Sequence, residues 1–121
     1  MQDIRNLKVW EKSHALTLDV YRQTLKFPAD ERFGLSSQLR RSCSSVPANL
    51  AEGCGRGGDL DFARFVTIAS GSASEADYHL LLARDLGYMP AETYDGLYSQ
   101  ISEVRRMLNA FERTLRGSAS G

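Results

Sequence analysis

The last third of the chain carries apolar residues separated by alternating steps of three and four, and this repeat constrains the fold more than any other feature. Such spacing places all these side chains on one face of an α-helix, whereas a strand repeats every two residues. Pro90, tolerated in the first turn of a helix, predicts the start, and Gly117 predicts the end. We therefore predict one amphipathic helix followed by a disordered tail at 117–121. Its face comprises Tyr94, Leu97, Ile101, Val104, Leu108, Phe111 and Leu115.

A second helix is predicted upstream, beginning after Asp59 as N-cap and ending at Gly87. Small residues occupy the middle of its apolar face, so we expect a neighbouring backbone to approach closely there, with Gly71 adding room. The predicted face comprises Phe62, Phe65, Ala69, Ser72, Ala76, His79, Ala83 and Leu86.

Two more helices are predicted in the first half of the chain. The first ends at Pro28; its stripe is Leu7, Trp10, His14, Leu18, Tyr21 and Leu25, widened by Val9, Leu16, Val20 and Phe27. The other lies between Asp30 and Gly53, and its stripe is Leu35, Leu39, Cys43, Val46 and Leu50. Pro47 removes a backbone donor inside this helix and clashes with the carbonyl of Cys43, which predicts a kink. The glycines from Gly53 to Gly58 predict a flexible connection.

Four amphipathic helices joined by short connections predict an all-α fold, an antiparallel up-down-up-down four-helix bundle forming a single domain over residues 1–116. The first and third predicted helices carry apolar residues outside one stripe, including Val66 and the run from Leu80 to Leu82. A second apolar face on a bundle helix indicates that copies of the chain associate.

Charge and composition exclude several classes of protein. The 121 residues include 15 Lys and Arg against 15 Asp and Glu, so no overall positive charge favours a polyanion. The longest purely apolar run, Leu80 to Ala83, is far shorter than the ~20 residues that cross a bilayer. We expect a soluble cytoplasmic protein without membrane contact. Cys43 and Cys54 lie ~16 Å apart along one helix, too far to form a disulfide or share a zinc ion.

No catalytic signature is present, so the sequence predicts a protein that is not an enzyme and has neither cofactor nor metal. The glycine-rich segment from Gly53 to Gly58 lacks the Lys-Ser/Thr of a phosphate-binding loop and no strand precedes it, so a plain loop is favoured. His14 and His79 lie on apolar stripes, where a histidine hydrogen-bonded to a neighbouring helix is the favoured interpretation.

Four polar residues at helical spacing near the centre of the bundle form a candidate structural motif: Asn49, Glu52, Ser72 and Glu75. Asn49 and Glu52 are three residues apart, as are Ser72 and Glu75, so each pair can share a helix face. One interpretation is a hydrogen-bonded network between helices or between subunits. The other is a set of ordinary solvated charges.

Basic residues concentrate toward the two ends of the chain and form the candidate contact surface for nucleic acid or another partner. They comprise Arg5, Lys8, Lys12, Arg40, Arg41, Arg56, Arg105 and Arg106, with Arg113 and Arg116 following in the last helix. These side chains can meet RNA phosphates, meet the acidic surface of another subunit, or form a solvated face.

Several segments resemble the four-helix-bundle family named after the intervening sequence of 23S ribosomal RNA, with likeness over residues 3–116. The most specific is Pro47-Ala48-Asn49-Leu50-Ala51-Glu52-Gly53. Others are Leu7 to Trp10, Phe27-Pro28, Gly34 to Arg41, Phe65 to Ser72 with Glu75, and Leu86 to Tyr88.

The resemblance implies a bacterial bundle that assembles into a ring-like homopentamer and has no established enzymatic activity. A related group serves as accessory protein to the reverse transcriptase of diversity-generating retroelements, and its members are strongly basic, unlike this chain. We therefore predict a non-enzymatic oligomeric assembly protein that binds a macromolecular partner such as RNA or a nucleoprotein. The alternative is an RNA- or DNA-binding protein that contacts phosphates through its arginine-rich surface.

Overall fold

Four α-helices make up almost the whole of the computed structural model, which describes the backbone of residues 3–120 and the side chains of residues 3–118. They are α1 (Lys8–Thr24), α2 (Leu35–Gly55), α3 (Asp59–Asp85) and α4 (Ala91–Ser120). Short 3-10 helices at Ile4–Asn6 and Ala29–Glu31 precede α1 and α2. No strand occurs in the described residues, so the predicted all-α, four-helix fold is confirmed. None of these helices is long and apolar enough to cross a bilayer.

Contacts between helices define how they pack. Each of α1 and α3 lies against both α2 and α4, so the four helices surround one core. Between α2 and α3, Ser42 contacts His79 and Ser45 contacts Ser72, so residue numbers rise along one helix as they fall along the other. The other neighbouring helices show the same reversal. The contacts are Thr17–Cys43 and Thr24–Arg40 between α1 and α2, Thr67–Arg116 and Asp77–Arg105 between α3 and α4, and Lys12–Glu103 and Asp19–Gln100 between α1 and α4.

The predicted apolar faces of α2 and α4 form much of this core. All five residues of the α2 stripe are at most 4% exposed, and on α4 Ile101 and Leu108 are fully buried. Phe111 is partly buried and packs against the same cluster. These stripes were predictable because every member is apolar and no second stripe competes with them.

Helix α1 buries the residues that widened the predicted stripe, Val9, Leu16 and Val20, and exposes much of the stripe itself. The core side is formed by Val9, Ser13, Leu16, Thr17, Val20 and Thr24. The later part of the predicted stripe points outward instead, since Leu18 and Tyr21 are each 42% exposed and Leu25 is 78% exposed. Leu7 and Trp10, at its start, are partly buried and pack against the core. We call His14, Leu18, Tyr21 and Leu25 the outer α1 stripe.

The difference between the predicted and the observed buried face of α1 has a physical cause in the buried hydroxyl groups. Ser13 donates to the carbonyl of Trp10, Thr17 to that of Ser13, and Thr24 to that of Val20. Because each hydroxyl is satisfied within its own helix, these residues are buried at little cost and behave as small side chains. Sequence reasoning did not assign these hydroxyl residues to the core, and so it centred the buried face on the wrong residues.

Pro47 lies inside α2, which continues from Leu35 to Gly55 without a break. Proline leaves the carbonyl four residues earlier without its helical donor, and that carbonyl belongs to Cys43. The Thr17 hydroxyl of α1 lies 3.5 Å from the Cys43 oxygen, at the long end of hydrogen-bond distance. The single Thr17 hydroxyl proton is shared with the closer Ser13 carbonyl at 2.8 Å, so it offsets the lost backbone donor only weakly. The kink itself stays a prediction.

Two predictions about glycines, at Gly71 and Gly53, are wrong. A Cβ on Gly71 would meet nothing within 4 Å, so this residue does not mark the expected close approach. Gly53, predicted to be part of a flexible connection, lies instead inside α2, where a Cβ would stand 2.7 Å from Cβ of Phe65 and 2.8 Å from Cδ1 of Phe62. The small Ala69, Ala73 and Ala76 are fully buried.

Helix ends differ from the predicted ones in two places. The N-cap of α3 is Gly58, while Asp59 is the first helical residue. Helix α4 continues through Gly117 to Ser120, which corrects the predicted disordered tail for residues 117–120. Glycine in a helix costs only about 1 kcal/mol, and no proline follows to stop it. Gly121 lies outside the described residues. The stop of α3 at Gly87 is confirmed by its positive φ of 79°.

Candidate functional site

A polar cluster joins α2 to α3 near the middle of the bundle. Asn49 donates through Nδ2 to the carbonyl oxygen of Ser45 at 2.8 Å and to its Oγ at 2.9 Å. The Ser72 hydroxyl donates across the helix boundary to the same Ser45 Oγ at 3.0 Å. Ser45 is therefore the centre of a link between the two helices.

The second half of the cluster lies about one helical turn away and contains His79, which is only 7% exposed. Its Nδ1 lies 3.0 Å from the Ser42 hydroxyl of α2, and its Nε2 lies 3.7 Å from Oε2 of Glu75. Burial lowers the pKa of the His79 imidazole, and the nearby Glu75 carboxylate opposes that shift. We call Ser42, Ser45, Asn49, Ser72, Glu75 and His79 the polar cluster.

Three of the four predicted motif residues belong to this cluster. Asn49 and Ser72 meet through Ser45, and Glu75 lies beside His79. Glu52 does not join them, because its carboxylate lies 3.7 Å from Arg56 on an exposed part of α2. Sequence reasoning missed the contributions of Ser42 and Ser45. Their spacing supplied a signal, since Ser45 lies four residues before Asn49 on the same helix.

The order Ser42, His79, Glu75 is superficially that of a nucleophile, a base and an acid. Ser42 is however only 4% exposed and is held between α2 and α3, where a substrate cannot reach its hydroxyl. Burial also raises the pKa of the Cys43 thiol to about 11, which leaves it protonated and unreactive. Among the described residues no three potential metal ligands come together. The cluster is therefore built to connect helices.

We expect the stability of the protein to fall as the solution is acidified, through His79. Since its folded-state pKa lies below the unfolded value of about 6.5, the unfolded chain takes up the proton first. The free energy of unfolding should decrease as pH falls through that value and level off below the folded pKa. Urea unfolding between about pH 7.5 and 5.5 measures this.

The matched control uses the other histidine. His79→Gln should remove the pH-dependent part, whereas His14→Gln, at an exposed position stacked on Trp10, should leave it in place. If the free energy of unfolding of the His79 variant depends on pH as it does in the wild type, then the His79 imidazole is not the cause of that dependence.

Most of the predicted basic contact residues are engaged in ion pairs with carboxylates. Among the described residues, five of the eight have such a partner: Arg5 with Asp3, Lys8 with Glu11, Lys12 with Glu103, Arg56 with Glu52 and Arg105 with Asp77. Arg40, Arg41 and Arg106 make no ion pair there. The eight do not form one patch, because Arg40 and Arg56 lie ~24 Å apart along α2.

Two of the unpaired arginines, Arg40 and Arg41, line a cavity of about 750 Å³ between the end of α1 and the start of α2. A third arginine, Arg32, completes its basic lining. We call this cavity the arginine groove. Its lining residues are Tyr21, Thr24, Leu25, Phe27, Pro28, Ala29, Arg32, Phe33, Ser36, Ser37, Arg40, Arg41 and Ser44.

Arg40 is held in place in the groove by neutral groups. Its Nε donates to the Thr24 hydroxyl at 2.6 Å, and one terminal nitrogen donates to the carbonyl of Tyr21 at 3.1 Å. The guanidinium carbon lies 4.5 Å from the centre of the Tyr21 ring. These contacts fix the side chain without neutralising it, so its positive charge stays available to a ligand.

The family model described as 23S rRNA-intervening sequence protein matches residues 5–110. The chain belongs to this family. A crystal structure of a protein with unknown function from the S23 ribosomal protein family, from Bacteroides thetaiotaomicron, is similar with a TM-score of 0.77 and 25% identity. The likeness covers 86% of this chain and 97% of that one. A comparison with curated proteins finds no match.

The part of the chain that matches the 23S rRNA-intervening sequence protein family contains the whole polar cluster and the whole arginine groove. Arg113 and Arg116 of the last helix lie beyond it. Arg32 and Phe33, which sequence reasoning missed, lie in the connection between α1 and α2. Adjacent arginine and phenylalanine in a short connection were the only signal, and such a pair is common.

Proposed function

We propose that this member of the family is a non-enzymatic assembly protein whose copies associate through the outer α1 stripe and together bind a macromolecular partner. The single observation that carries the proposal is the exposure of that stripe. Its residues follow helical steps of four, three and four, so they form one strip on the outside of the bundle that is apolar apart from His14.

A second copy of the chain is the occupant that fits this strip best. Leu18, Tyr21 and Leu25 together expose aliphatic and aromatic surface that water covers at a cost of about 25 cal/mol per Å². The formal net charge of zero means that copies do not repel one another. The family resemblance makes a homopentamer the expected assembly.

The positions and contacts of the reactive side chains support a non-enzymatic role. His79 and Ser42 contact each other inside the bundle, and the Cys43 thiol is buried beside Thr17. An active site requires convergent reactive groups in an accessible pocket. The arginine groove is accessible, but its lining contains neither a carboxylate nor a histidine.

A second candidate function is RNA or DNA binding through arginines, and the arginine groove favours it specifically. Three guanidinium groups that lack carboxylate partners in the described residues line one cavity. Such groups bind phosphate oxygens through charge-assisted hydrogen bonds. In this version of the proposal the partner of the assembly is itself a nucleic acid.

Particle mass from light scattering tests the assembly. We expect wild-type protein to give an oligomer, and the double variant Leu18→Glu/Leu25→Glu, at two exposed positions, to give a monomer because buried carboxylates would oppose the contact. Leu60→Glu, at a 60% exposed position on α3, is the control and should leave the mass unchanged. A monomeric wild type, or dissociation caused only by the Leu60 variant, would contradict the proposal.

Binding of RNA at about 50 and 200 mM salt separates the two candidate functions. Direct phosphate contact weakens steeply as salt rises, whereas association through an apolar strip does not. RNA retention that collapses at the higher salt while the particle mass stays constant would support the second candidate alongside the assembly.

A further inference from the structure

We infer that the arginine groove binds an unpaired nucleotide of a single-stranded nucleic acid, with the base stacked on Phe33 and the phosphate held by Arg32 and Arg41. This inference rests on the second candidate function and assigns its site. It starts from the distribution of charge. Among the described residues, five arginines make no ion pair, and three of them line this groove: the five are Arg32, Arg40, Arg41, Arg106 and Arg113.

No carboxylate lines the groove to compete with an incoming anion. Two acidic residues, Asp30 and Glu31, stand in the connection between the lining residues Ala29 and Arg32, and both carboxylate oxygens of Glu31 accept hydrogen bonds. One accepts from the backbone N–H of Leu35 at 3.0 Å and the other from the Tyr88 hydroxyl at 2.8 Å. These bonds hold the carboxylate against Leu35 and Tyr88, and they lower the pKa of Glu31, so it stays ionised. The three arginines of the lining outnumber the two acidic residues of the connection, so the groove keeps a net positive charge.

Exposed aromatic surface distinguishes this groove from a simple anion site. Phe33 is 87% exposed, the largest exposure among the large apolar side chains of the described residues. The guanidinium carbon of Arg32 lies 5.3 Å from the centre of its ring. An exposed ring bordered by arginines is the combination that single-strand-binding proteins use, since a base stacks on the ring while its phosphate meets the cation.

The form of the groove favours one flexible strand over a duplex. A cavity of about 750 Å³ has the dimensions of a small-ligand site, which accommodates one nucleotide. In a duplex the base faces are already stacked and do not reach Phe33. Ser36 and Ser37 also line the groove, and a serine hydroxyl can donate one hydrogen bond. Arg40, fixed by Thr24 and Tyr21, presents its charge without further ordering.

The test measures fluorescence anisotropy of a labelled ten-nucleotide uridine RNA with full-length protein at about 50 mM salt. We expect Arg32→Gln and Arg41→Gln each to weaken binding about tenfold and to reduce the slope against salt by about one. Arg106→Gln makes the same charge change on α4 and should alter affinity less than about twofold. Equal losses in all three variants would indicate a diffuse field and overturn the site.

Phe33 supplies a second readout that charge alone does not produce. Phe33→Ala should weaken binding about tenfold without changing the salt slope, and Phe33→Trp should restore it because a larger ring still stacks. Equal affinity for a duplex of matching length would overturn the unpaired-nucleotide assignment. If uridine monophosphate binds as tightly as the ten-nucleotide RNA, the groove is a site for a free nucleotide, and the assignment to a single-stranded nucleic acid is wrong.

Two outcomes keep this inference separate from the proposed function. If RNA binding depends on salt but is unchanged by substitution of Arg32, Arg41 and Phe33, the second candidate function is supported and the groove is not its site. Tyr21 and Leu25 belong to both the groove and the outer α1 stripe, so particle mass is measured for every variant. Dissociation of the oligomer by Phe33→Ala would show that a second copy covers the groove, and would overturn the inference.

Discussion

We expect Leu16→Ala to lower the free energy of unfolding by about 2–5 kcal/mol, because it removes a side chain that is only 1% exposed and leaves a cavity in the core. Leu18→Ala, two residues later, should cost under about 1 kcal/mol, since Leu18 is 42% exposed. The same substitution at two leucines of one helix is thus expected to give losses of very different size. Chemical denaturation of both variants in urea measures the difference.

The comparison also tests which face of α1 lies inside. Had the stripe through Leu18 formed the core, the order of the two losses would be reversed. Protein concentration supplies a further control, because the outer α1 stripe is the proposed contact between copies. Any cost of Leu18→Ala should shrink on dilution, whereas the cost of Leu16→Ala should not. Equal costs at every concentration would contradict the assigned orientation of α1.

The second large effect is expected at Gly53. Gly53→Ala places a Cβ 2.7 Å from Cβ of Phe65, an atom so close to the backbone that rotation of the ring cannot move it. Overpacking of this kind costs about 1–3 kcal/mol, which exceeds the gain from alanine's better helix propensity. We expect a lower midpoint in urea and weaker packing of α2 against the start of α3.

Gly71 is the matched control, because it also lies inside a helix but has nothing within 4 Å of a Cβ. Gly71→Ala should therefore raise the free energy of unfolding by up to about 1 kcal/mol, the propensity difference alone. The two substitutions are chemically identical and are expected to differ in sign. A stabilising Gly53→Ala would show that α2 and α3 separate there at little cost.

The candidate sites were predictable to different degrees. A network between helices through Asn49 and Ser72 was one of two interpretations that the sequence left open, since polar residues at spacing three share a helix face whether they bond to a neighbour or to water. The intervening Ser45 was not assigned to it, because which hydroxyl bridges two helices depends on their relative rotation. The arginine groove was only half predicted: Arg40 and Arg41 were named, while Arg32 and Phe33 come from a connection without periodicity.

The amino-acid sequence by itself determined the all-α class, the number of helices, and the buried faces of α2 and α4, because helical periodicity is a local property and needs no knowledge of neighbours. Only the tertiary structure decided which face of α1 is buried, which glycine lies at a helix contact, and which arginines share a cavity. Each of those depends on rotation and distance between helices. A hydroxyl that bonds to its own helix, as in Thr17, becomes acceptable in the core only after a partner helix is present.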